Sequence, residues 1–191
     1  GTFTAVYDSE VDGNLLRCLK QNAYPNADEA TLLPMVRDHF KDYRRITAFT
    51  LKNEKRVFDL RTYVPRDWSV YAYVLNNARL LDTAYANTEF HFVMSPQPID
   101  SRLGIHSLLH EIGHVVEDKE LTHGDIVKRA EAREKESMSL DEKKGLIQSE
   151  RKANAFALTN LRHFFGHEDM DIFRQLTYTA QRGYHRKVSK L

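Results

Sequence analysis

At Asp100 the chain changes its hydrophobic period, and that change limits the folds open to it. Upstream, Glu89-FHFVM-Ser95 reads as a strand stopped by Pro96 and Pro98. Downstream, Ile105, Leu108, Leu109, Ile112, Val115 and Val116 recur at helical spacing, with Asp100 or Ser101 placed to cap the helix start. A sheet that ends at this point, with helices after it and at the start of the chain, makes an α+β chain.

The downstream helix carries His110-Glu111-Ile112-Gly113-His114, the H-E-x-x-H pattern. His106, His110 and His114 follow one another at i, i+4 and i+8, on the side away from the apolar stripe. Two imidazoles one turn apart can aim ring nitrogens at a single zinc ion about 2.0–2.1 Å away. Glu111 lies about 100° round the helix from His110, out of direct ligation but within reach of a water on the metal. A hydrolase needs this pairing of metal and base.

A catalytic zinc site has three protein ligands and one open position. The H-x-x-G-x-x-H continuation would put a third histidine at position 120, which is Glu120. Two candidates remain, His123 in a Thr-His-Gly segment and Glu150 on the following helix. The surroundings of Glu150 favour it. Asn154 stands one turn on, on the same face, while Ala153, Phe156 and Ala157 are small or apolar and suited to packing against the histidine helix. Glu150 is then the third metal ligand, and Asn154 orients a histidine ligand from behind. His106 faces the same side and is a further candidate for that supporting role.

The chain has 191 residues, enough to bury a core as a single domain over 1–191. Its net charge of +1, from 28 basic and 27 acidic residues, gives no overall attraction to nucleic acid or anionic membrane. An anionic partner would need a local patch. One cysteine, Cys18, and no apolar run of the roughly 18 residues that cross a bilayer point to a reducing, cytoplasmic setting.

In chain order, helices are expected at about 9–45, a sheet at about 45–95 and the catalytic helices at about 100–182. Val11, Leu15, Leu16 and Leu19 suit a helix over Ser9–Asn22. Asp28 caps a second that runs to about Arg45, with Pro34 too deep for a first-turn proline and so marking a kink or a later start. Arg45 to Pro65 reads as a hairpin turning at Lys52-Asn53-Glu54-Lys55. Val70 to Val74 alternates as a strand, followed by a turn at Asn76-Asn77, while Trp68, Tyr71, Leu75 and Ala78 also fit a helix capped by Asp67. The strand at Glu89–Ser95 is expected to be the sheet edge that receives a substrate backbone, with His91 an ordinary residue within it. Glu117 to Lys144 is a charged, solvated stretch, helices follow from about Leu140 or Lys144 to Phe165 and around Ile172–Tyr178, and the basic end from Arg182 is a frayed terminus.

H-E-x-G-H followed by E-x-x-A-N-x-F-A resembles the ImmA/IrrE family of zinc peptidases, a gluzincin-like group with cytosolic members linked to phage, mobile elements and stress responses. The matching positions are His110, Glu111, Gly113 and His114, then Glu150, Ala153, Asn154, Phe156 and Ala157, within a stretch from Phe90 to Leu161. The resemblance implies a zincin-like fold, a small, mostly antiparallel sheet packed on an active-site helix, with N-terminal helices and a helical C-terminal half. It also implies Zn2+ held by His110, His114 and Glu150, with Glu111 as catalytic base. The substrate would be a regulatory protein such as a helix-turn-helix repressor. His163, Tyr178, Tyr184 and His185 are candidates to stabilise the oxyanion. Two other readings stand beside this one: a SprT-like protease with His123 as third ligand, and a zinc-containing module that binds a repressor or toxin without cutting it.

Overall fold

The computed structural model describes residues 3–8, 13–51, 57–75, 84–96, 98–99, 101–119 and 121–190. The elements run β1 (Phe3–Asp8), α1 (Gly13–Ala23), α2 (Glu29–His39), β2 (Tyr43–Leu51), β3 (Val57–Asp59), β4 (Ser69–Tyr73), β5 (Tyr85–Asn87), β6 (Phe92–Ser95), α3 (Arg102–Asp118), α4 (His123–Glu134), α5 (Leu140–Phe164) and α6 (His167–Ser189). The chain is α+β, with six helices and a mixed six-stranded sheet among the described residues. It falls into two compact units, Gly1–Leu108 and Leu109–Leu191, whose boundary lies inside the continuous helix α3.

The first unit holds the sheet, ordered β1-β2-β4-β6-β5, with β3 paired to the far part of β2. All pairings are antiparallel except β4 with β6. Leu15 of α1 and Val36 of α2 pack with Tyr71, Phe92 and Met94 of the sheet, and that cluster forms the unit's core. Asp28 caps α2 by accepting from the Thr31 amide at 2.8 Å. Ser101 caps α3 by accepting from the Gly104 amide at 3.1 Å.

Several expectations need correction in this unit. β1 precedes the first helix. Among the described residues it pairs only with β2, and Val6 and Tyr7 stay 40% exposed, so no buried face had marked it as a strand. The second helix ends at His39 rather than near Arg45. Phe40 and Tyr43 keep helical spacing, yet Phe40 is the cap and Tyr43 already pairs with Tyr73 of β4. Pro34 sits within α2, which starts at Glu29, so no later start is needed. The hairpin is present as β2 with β3, but the second strand gives way to a 3-10 turn at Leu60–Thr62; its loop at 52–55 and the turn at Asn76-Asn77 lie outside the described residues. The strand before the histidine helix is not an edge. β6 pairs on both sides, and β5 takes the outer position. His91 precedes β6 in a turn, with φ 57.

The second unit is helical. α4 and α5 each open on a reciprocal cap, Thr122 with Asp125 and Ser139 with Glu142, in which each side chain accepts from the other's backbone amide. Ala153, Ala157 and Leu161 bury one stripe of α5, and Phe173 buries α6. The basic end is not frayed: α6 continues to Ser189, and Val188, 1% exposed, packs with Met138 and Leu146.

Candidate metal centre

The site is built where α3 and α5 touch. Gly113 makes this possible: a Cβ there would stand 2.9 Å from the Ala153 carbonyl oxygen and 3.0 Å from its Cα. Small residues on both helices let the backbones approach, and the longer side chains one turn away then meet tip to tip.

Three of those tips converge. Nε2 of His110 lies 2.8 Å from one carboxylate oxygen of Glu150, and Nε2 of His114 lies 3.1 Å from the other. The two ring nitrogens are 3.2 Å apart. All three side chains are only 12–17% exposed, so these groups have left water for each other. Ligand atoms 2.0–2.1 Å from a tetrahedral ion stand roughly 3.3 Å from one another. The group fits a metal ion with little rearrangement. His110, Glu111 and His114 also bring ligand atoms within 4.8 Å of one another, a His-Glu-His set that could hold a metal.

The far ring nitrogens set which tautomer faces the centre. Nδ1 of His110 is 2.6 Å from Asn154 Oδ1, which can only accept, so that nitrogen carries its proton. The Ser149 hydroxyl donates to Glu117 at 3.0 Å, leaving its oxygen to accept from Nδ1 of His114 at 3.3 Å. Arg129 holds Glu117 in turn at 3.1 Å. Each imidazole is thereby protonated on the outer nitrogen and turns Nε2 inward, as metal ligation requires.

The charges follow from this packing. Burial alone would raise the Glu150 carboxyl, but hydrogen bonds from His110 and His114 outweigh it and hold the group well below the usual carboxylate range. Burial alone would lower His110, and the hydrogen bond and charge of Glu150 overcome it and raise the imidazole. Burial pushes the Glu111 carboxyl up, only partly offset by the neighbouring histidines. The site thus joins one anionic carboxylate to a second that protonates more readily than usual.

Most of the predicted site residues meet here: His110, Glu111, His114, Glu150 and Asn154. His106 is buried one turn earlier on α3. His123 is the first residue of α4, and its side chain, like Glu120, lies outside the described residues. Of the four oxyanion candidates, Tyr184 is the one that senses the site. Burial raises its phenol first, the charge of Glu150 adds to that, and the Arg133 guanidinium partly offsets both. Tyr178 is 62% exposed beneath the Arg182 guanidinium, His185 contacts Arg151 at 3.3 Å, and His163 is exposed.

Ser149, Glu117 and Arg129 were not singled out in the sequence. A partial signal existed, since Glu117 stands three residues beyond His114 and Ser149 directly precedes Glu150. Comparison of the chain with models of protein families, with curated proteins and with solved structures finds no match.

Proposed function

We propose that the chain is a zinc-dependent endopeptidase of zincin type, akin to the ImmA/IrrE peptidases, acting on a regulatory protein in the cytosol. One observation carries the reading: two imidazole Nε2 atoms and the Glu150 carboxylate converge within 2.8–3.2 Å, with Glu111 on the same helix as both histidines. Two nitrogens and one carboxylate form a donor set that zinc takes in hydrolases.

When bound, zinc polarises a carbonyl oxygen and lowers the pKa of water toward 7. His110, His114 and Glu150 would hold it. Glu111, its carboxyl lifted by burial, accepts the proton of the attacking water and returns it to the leaving amine. Among the four residues named for the oxyanion, Tyr184, whose phenol is raised by burial and by the charge of Glu150, is the candidate donor. The tautomers fixed by Asn154 and Ser149 keep both ring nitrogens aimed inward through the cycle.

The decisive test pairs zinc analysis of the purified chain with mass spectrometry of a helix-turn-helix repressor incubated with it. Glu111→Gln is expected to keep its zinc and lose roughly a hundred- to ten-thousand-fold in cleavage rate. Glu150→Ala is expected to lose the zinc. Tight binding of the repressor to wild-type protein that holds zinc but never cuts would make the chain a recognition module instead.

A further inference from the structure

The first unit contains a cavity of about 290 Å³ that the metal centre does not use. Its floor is apolar, formed by Ile46, Leu60 and Val70, each no more than 3% exposed. Three arginines, Arg45, Arg61 and Arg66, also line it, together with uncharged residues such as Thr47, Val64 and Ser69. Arg61 is held by both oxygens of Asp59, at 3.0 and 2.9 Å. Among the described residues, no carboxylate lines the cavity or pairs with Arg45 or Arg66. Arg45 and Arg66 thus line a concave space with an apolar floor, and among the described residues no ion pair engages either of them, in a chain whose overall charge is only +1. The local patch that an anionic partner requires is present.

Trp68 also lines the cavity, and its ring is stacked from one side. Its indole lies flat against the imidazole of His91, with centroids 5.0 Å apart and planes 7° apart. His91 adopts φ 57, a left-handed conformation that few residues other than glycine occupy. Three contacts fix it there. Its carbonyl accepts from Asn14 Nδ2 at 3.0 Å and from the Ser69 amide at 3.1 Å, and its Nδ1 reaches Asp67 at 2.8 Å. A strained residue whose ring braces one wall of a cavity is the kind of outlier that marks a binding site.

We infer that this cavity binds a small organic anion, a compact apolar or aromatic body bearing one carboxylate or phosphate group. The body lies on Ile46, Leu60 and Val70 beside Trp68, and the acidic group is taken by Arg45 and Arg66. Guanidinium forks suit both oxyanions, and the volume is near the lower end of small-molecule sites. The inference goes beyond the proposed peptidase activity and does not depend on it.

Trp68 is the only tryptophan of the chain, so its emission reports on the cavity directly. Phenyl phosphate, benzoate and neutral benzyl alcohol would be titrated into the full chain, with calorimetry alongside. Phenyl phosphate or benzoate, or both, should bind saturably and more weakly as salt is raised, and benzyl alcohol should not; which of the two binds better tells phosphate from carboxylate. Arg66→Ala, in an exposed turn, and Arg45→Ala should each weaken binding by roughly tenfold or more. Arg45→Lys keeps the charge within β2 and guards against a folding defect. The inference is overturned if no probe saturates by either method, if benzyl alcohol binds as well as the anions, or if neither arginine variant changes the affinity.

Discussion

Gly113 of α3 and Ala153 of α5 meet backbone to backbone, leaving less room between them than a single methyl group needs. The helices must stay this close for the Glu150 oxygens to reach both imidazoles. Gly113→Ala is therefore expected to force them apart and destabilise the fold by about 1–3 kcal/mol, the usual cost of overpacking. Gly113→Val should cost more. Urea titration measures the first effect, and metal content of the folded variant measures the second. An alanine variant as stable as the parent would show that the helices yield at no cost.

Asn154 and Ser149 fix the tautomers of His110 and His114, so their loss should act on metal affinity before it acts on rate. Asn154→Ala and Ser149→Ala are each expected to weaken metal binding by roughly 10–100-fold. Competition with a chelating dye provides the readout. Both side chains are buried, at 3% and 1% exposure, so each variant also needs a melting curve. Unchanged affinity in a folded Ser149→Ala protein would remove Ser149 from the site.

Three helix caps predict how the fold responds to acid. Asp28 is lowered by its hydrogen bonds to Thr31, and Asp125 by those to Thr122. Glu142 is lowered first by Lys135, at 2.8 Å, and then by Ser139. Because each folded value lies below the unfolded one, the stability these groups add is complete above the unfolded carboxylate range. It is lost as pH falls through the folded values. The urea midpoint should therefore drop steadily below about pH 4. Asp28→Asn, which still caps but does not titrate, should flatten part of that slope. An equal slope in the variant would show that the cap carboxylate carries none of it.

Val188 anchors the C-terminal helix. Val188→Ala is expected to cost about 1–2 kcal/mol from lost burial. Removing residues 183–191 should cost more, since it also takes Tyr184 from its place against Ile147 and the cluster. Circular dichroism melts of the two variants distinguish an anchored helix from a dispensable tail.

The centre was readable from sequence to the extent that its geometry is local. His110 with His114, and Glu150 with Asn154, are pairs one turn apart, so each is a statement about one helix. The approach of the two helices was also partly legible, because glycine and alanine fall where the backbones meet. What stayed hidden depends on partners distant in the chain. Ser149 supports His114 across 35 residues and Glu117 across 32. β1 and the interior place of β6 are likewise set by neighbours, not by their own pattern. His91 shows the same limit: it sits in a run that alternates like a strand, yet it turns because Asn14 and Asp67 hold it. The basic end looked unstructured because nearly every residue there is polar, yet Val188 and Tyr184 pack it against Met138, Leu146 and Ile147.

The side chains that would hold an ion come from two helices, with 35 residues between His114 and Glu150. An ion held by both would tie that segment into a closed loop, as a covalent cross-link does. On the loop-entropy scale used for disulfides, a closure of this length is worth on the order of 4 kcal/mol. A chelator would then remove a staple along with a Lewis acid. Loss of activity on stripping the metal would read as chemistry only at temperatures where the unstapled chain is still folded.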